Sequence, residues 1–267
     1  MKCLVYILVL AWVQLSPVLA QSSAADQSAQ LGYSQRLYDN GHYLSAANAA
    51  RELGTASAHA FAARSVLSHV VSRDLDASAA LFIAEGEADA RYALVLDPDC
   101  VEARVQLAVA LGLKARLIGH VRAHFNGLAT ESKAHLDAAL ARAPDDVWVL
   151  SVLGGWHLEI VRVAGPDLAK LLYGASQSAG IGFFEQALAA EPDNLIIRQQ
   201  YGLLLGATSD PGFRRRAEEV LVAATSLSPR SHFEKDAHKR AGELLDALRQ
   251  GDPARLAEVV KSQIEPC

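Results

Sequence analysis

The sequence predicts an all-α fold, a right-handed superhelix of stacked antiparallel helix pairs with enlarged insertions inside some pairs and capping helices at its C-terminal end. Three observations carry this. Of 267 residues, 51% are apolar but only 6% aromatic, with Ala and Leu dominant, which favours helix over sheet. One pattern is written three times, as ADARYALVLDPDCVEARVQLAVALG, ESKAHLDAALARAPDDVWVLSVLGGWHLEIV and GIGFFEQALAAEPDNLIIRQQYGLLLG. In each, an amphipathic helix stops at Pro-Asp and a second helix follows. This punctuation falls at Pro98, Pro144 and Pro192, with a weaker copy at Ser228-Pro229. Proline cannot continue a helix, and an aspartate after it can cap the next one.

The four prolines are separated by 46, 48 and 37 residues. Small residues keep register with them. Ala93, Ala139, Ala187 and Ala224 each stand five before a proline, and Ala108, Gly154 and Gly202 each ten after. Any excess length therefore lies between the two helices of a pair. Two long insertions follow, LKARLIGHVRAHFNGLATE and IVRVAGPDLAKLLYGASQSAG. They occupy equivalent points of successive pairs, so they should form one ordered collar on one edge.

Residues 1–20 read as a signal peptide. Lys2 gives a positive start, Cys3 to Val13 an apolar stretch, and Val18-Leu19-Ala20 a cleavage site before Gln21. An uncleaved anchor is the alternative, although the apolar stretch is short of the ~20 residues of a membrane span. Residues 21–28 are expected to be a mobile lead-in, 29–250 the repeat domain and 251–267 a cap and tail.

The first pair begins near Ala29, with Gly41 in its turn and Tyr43 and Ala46 opening the next helix. A helix over 57–72 follows, with Phe61, Val66, Leu67 and Val70 on one face. Asp74 to Asp76 marks a break before a helix that runs from about Ala77 to Leu96. In the first insertion Leu107, Leu111, Ile118, Val121 and Phe125 extend one apolar stripe, so the helix is expected to continue about three more turns. Gly165-Pro166 stops the corresponding helix in the second. Phe213 to Leu227 completes the last pair. Phe233 to Leu248 and a short helix after Asp252-Pro253 are read as caps.

The small-residue register, the G-x-Y-x-x-A turn at Gly41–Ala46 and the Pro-Asp boundaries resemble the tetratricopeptide repeat superfamily, whose period is 34. VLSVLGGWHLEIVRV, KLLYGAS and FFEQALAAEPDN together are similar to the tetratricopeptide region of the regulator of microtubule dynamics family. The exported T component of tripartite ATP-independent periplasmic transporters is a second similar group. These resemblances imply binding, not catalysis, and supply no catalytic residue. They imply an inner groove lined by Glu102, Val105, Val109 and Gly112, then Trp148, Ser151, Gly155 and Leu158, then Ile196, Gln199, Leu203 and Gly206. That row is mostly apolar and small, so something should cover it. Self-closure, by the N-terminal pair or the terminal helices, is expected over an apolar small molecule.

Other chemistry is sparse. A net charge of −5 argues against nucleic acid as a partner. His120 and His124 stand four apart, with His135 a possible neighbour, but no acid completes a metal motif. Packed or solvated histidines are the simpler account. Arg214-Arg215-Arg216 precedes Glu218 and Glu219, a self-paired face. Glycine pairs follow no strand, so they are not phosphate loops. No catalytic triad, metal or cofactor is expected. Export permits a disulfide between Cys100 and Cys267, and a buried Cys100 with a free tail thiol is the alternative. The expected function is that of an exported, periplasmic or secreted adaptor recognising another exported protein. A small-molecule or lipophile-binding subunit serving a transporter is the alternative.

Overall fold

The computed structural model describes residues 24–73, 78–208 and 210–264. The expected signal peptide, the start of the lead-in, the Asp74–Asp76 break and Cys267 lie outside these. Among the described residues there are fourteen helices and no strand. Six pairs stack in chain order. They are α1 (Ala24–Asp39) with α2 (Tyr43–Arg51), α3 (Ala56–Val71) with α4 (Ala79–Leu96), and α5 (Val101–Ile118) with α7 (Leu128–Arg142). Then come α8 (Val147–Ala164) with α10 (Gln177–Ala190), α11 (Leu195–Gly206) with α12 (Pro211–Ser226), and α13 (His232–Gln250) with α14 (Pro253–Ile264). First helices α3, α5, α8, α11 and α13 touch in succession, as a helical repeat array requires.

The pair boundaries are set locally. Asp146 caps α8 by accepting from the Trp148 and Val149 amides at 2.9 and 3.0 Å. Asn194 caps α11 through Ile197 at 3.1 Å. Each such cap contributes about 1 kcal/mol. The small residues then let the paired helices approach. A Cβ at Gly154 would stand 2.7 Å from the Phe184 ring and 3.0 Å from the Gly180 carbonyl. A Cβ at Gly202 would stand 2.6 Å from Leu221. Ala93, Ala139, Ala187 and Ala224 are fully buried.

The first insertion does not continue its helix. Gly119, at φ +84°, ends α5 and a separate α6 (His120–Phe125) follows. The apolar spacing survives the break, but Val121 and Phe125 are 74% and 82% exposed, so that stripe leaves the core. The second insertion holds α9 (Pro166–Tyr173). A hydrogen bond between His124 Nδ1 and the Tyr173 hydroxyl joins the two, and the expected collar is present. Trp156 anchors it by donating from Nε1 to the Ala129 carbonyl at 3.0 Å, with Tyr173 against its ring.

The ends of the array meet. Phe233 of α13 lies 6.4 Å, ring to ring, from both Tyr38 and Tyr43, and Arg240 donates to the Val71 carbonyl at 2.8 Å. Among the described residues one helix, α8, is long and apolar enough to cross a membrane, but half of it is buried in the array, as suits a core helix. Helix α1 begins at Ala24, inside the stretch expected to be a mobile lead-in, because Ala and Gln favour helix.

Gly154→Val should lower unfolding free energy by about 1–3 kcal/mol, since the contacted carbonyl cannot give way. Gly182→Ala, in open space on α10, should instead raise it by up to ~1 kcal/mol. Urea denaturation of both variants checks this.

Candidate functional site

The inner-face positions do not form one open groove. Leu203 is buried in a cluster with Leu256, Val259 and Ile264 of α14. Gln199, also buried, donates to Gln263 of α14 at 3.2 Å, and Gln263 donates to the Arg240 carbonyl at 3.0 Å. The last helix thus covers α11. Val105 is buried with Ala108, Leu136 and Val149. Ser151 is buried and its hydroxyl donates to the Trp148 carbonyl of its own helix. Leu158 lies where a Cβ on Gly180 would meet it at 2.7 Å, within the helix pair and not on the groove. Val109, Gly155 and Ile196 are half-buried. Gly112 is exposed and Gly206 is buried beside Leu244.

What stays open is a short ridge at the starts of α5 and α8, made of Glu102, Asp146 and Trp148. The Trp148 side chain is 41% exposed, because the Asp146 cap fixes it on the second position of α8. Glu102 holds the second position of α5. Its buried Oε1 is the oxygen that faces Arg64 Nε, an ion pair at 3.4 Å without a hydrogen bond. Although its side chain is 37% exposed, protein surrounds the carboxylate on its other sides. Burial pushes the Glu102 carboxyl above the usual range; Arg64 opposes this and Asp146 adds to it.

Arg64 is itself held in place. Its guanidinium lies 4.7 Å from the Phe61 ring centre and 5.4 Å from that of Tyr38, and it donates to Gln35 at 3.3 Å. It occupies the ninth position of α3, as Val109 does of α5. Sequence reading missed it because α3 lacks the Pro-Asp mark that registers the later pairs. Counting from the Thr55 cap would have found it.

Several other titratable groups are occupied within the fold. His124 is bonded to Tyr173 on the short α6. His135 lies toward Arg104 and Arg91 on another helix, and burial lowers its pKa. No group of three or more metal-ligating side chains gathers among the described residues. His157 is buried, stacks on Phe183 and accepts from the Ser176 amide at 3.2 Å, fixing the end of the second insertion. Arg51 ties α2 to α4 through Asp89 at 2.5 Å and Glu85 at 2.6 Å. Cys100 is a half-buried free thiol at the start of α5.

With this geometry in hand, the family description "Regulator of microtubule dynamics protein 1-3" matches residues 34–249. The chain belongs to the regulator of microtubule dynamics family. The match spans α2 through nearly all of α13, so both insertions of this family member lie within it. No curated protein matches the chain.

Since folding raises the Glu102 pKa, the ionised carboxylate is less favourable folded than unfolded. That cost is present above the folded pKa and vanishes as the group protonates. Glu102→Gln should therefore raise the melting temperature at neutral pH, and the gain should shrink as pH falls through the carboxylate range. A loss of stability at neutral pH would contradict the reading of this site.

Proposed function

We propose that this protein is a non-catalytic protein-interaction module, an adaptor that takes a basic segment of another protein along the Glu102–Asp146–Trp148 ridge. The carrying observation is the Trp148 indole, 41% exposed, two residues from Asp146, whose charge acts on the partly exposed Glu102 carboxyl. A lysine or arginine fits that set. The carboxylates supply charge-assisted hydrogen bonds, and the indole face attracts a cation. The family description speaks of regulating microtubule dynamics. What carries over to this chain is recognition of another macromolecule on a helical repeat scaffold. The basic and apolar pattern of residues 1–20 supports an exported location, so the partner is taken to be another exported protein.

The lipophile-carrier alternative has less support. Val105, Val109 and Leu203 fall in three separate apolar clusters, and Trp148 faces solvent. Two open clefts lie elsewhere. One of ≈ 480 Å³ runs between α10, α11 and α12, and one of ≈ 300 Å³ lies beside α14.

Fluorescence anisotropy with a labelled Lys/Arg-rich peptide tests the proposal. Binding should weaken on the order of ten-fold in Glu102→Gln and several-fold in Trp148→Ala. It should also weaken as pH falls, because a protonated Glu102 no longer attracts the cation. Equal binding of an acidic peptide, or unchanged binding in both variants, would refute it.

A further inference from the structure

The collar carries an apolar edge that the fold does not use. Thirteen large apolar side chains are exposed among the described residues, and five sit on the two short collar helices. Val121 and Phe125 stand one turn apart on α6, 74% and 82% exposed. Leu168, Leu171 and Leu172 share one face of α9, 52%, 79% and 54% exposed. The opposite side of α9 attaches the helix to the body through fully buried Ala169 and through Tyr173 against Trp156. The His124–Tyr173 contact brings the two helices together, which places both exposed apolar sets on the same collar. Isolated exposed apolar residues are ordinary; more than a third of them on fourteen residues is a patch.

The charge around the patch is basic in an acidic chain. Residues 114–126 and 162–174 hold Lys114, Arg116, Arg122, Arg162 and Lys170 against Asp167 alone. Glu87 and Glu159 of the body pair with Lys114, Arg116 and Arg162. Arg122 and Lys170 have no carboxylate partner among the described residues, and His120 and His124 stand beside them. Short helices with outward Phe and Leu, flanked by cations, are built to lie in a lipid interface. Two helices of six and eight residues offer a narrow edge, unlike the ~800 Å² per partner of a stable protein interface.

We propose that this collar is a membrane-surface dock, with α6 and α9 lying in the head-group region of an anionic bilayer. Phe125, Leu168 and Leu171 enter the acyl boundary, and Arg122 and Lys170 meet the lipid phosphates. This is independent of the basic-segment ridge.

The test is hydrogen exchange on the full chain with vesicles of phosphatidylcholine alone or with about a third phosphatidylserine. Peptides covering residues 119–127 and 165–174 should exchange at least ten-fold more slowly with the anionic vesicles and be unchanged with the neutral ones. Phe125→Ser with Leu171→Ser, two highly exposed positions, should abolish that protection while circular dichroism stays native. Arg122→Gln with Lys170→Gln should weaken vesicle partition on the order of ten-fold at low salt. Vesicle binding without collar protection, as the residue 1–20 segment alone would give, overturns the proposal. So does a concentration-dependent dimer that protects the collar without lipid.

Discussion

The structure depends on how closely paired helices can approach. At Gly154 and Gly180 each glycine's missing Cβ is replaced by the other helix, with backbone carbonyls 3.0–3.1 Å from where those atoms would stand. Gly202 against Leu221 and Gly86 against Leu67 repeat the device. A side chain at any of these points would push a pair apart and tilt every pair stacked beyond it. The small residues therefore act as geometric constraints that propagate along the array, which explains why they hold register while the insertions vary in length.

Tight pairs also determine what remains available for function. The array curves until α13 meets α1 and α2, and α14 lies over α11. Most of the apolar inner face is consumed as core, as hydrophobic stripes usually are. The exceptions stand at the margins of the packed body. Trp148 and Glu102 sit at the ends of adjacent first helices, and the two insertions project beyond the stacked pairs. A closed body with a charged, aromatic ridge and an apolar collar suits a module that works through its surface.

Much of this was legible in the sequence because its signals are local. Pro98, Pro144 and Pro192 with their following caps mark pair boundaries regardless of tertiary context, and the alanine and glycine spacing located both insertions. Apolar periodicity misled at Val121 and Phe125. It continued past Gly119 and read as one unbroken helix, because apolar spacing alone does not show where a glycine interrupts the backbone. The coverage of Gln199 and Leu203 by α14 was not legible, since it depends on curvature summed over five stacking steps. Nor was the Arg64–Glu102 pair, which joins helices from repeats carrying different boundary marks.

Closure of the array by its own ends is the most demanding consequence of this packing, and an electron-spin distance measurement tests it directly. Spin labels at Asn40 and Arg230, both exposed beside the seam, would lie roughly 45 Å apart if the pairs stacked in a straight row at 8–10 Å per step. Closure of the ends predicts a single narrow distribution well below that. A broad distribution centred near or beyond the straight-row distance would contradict it.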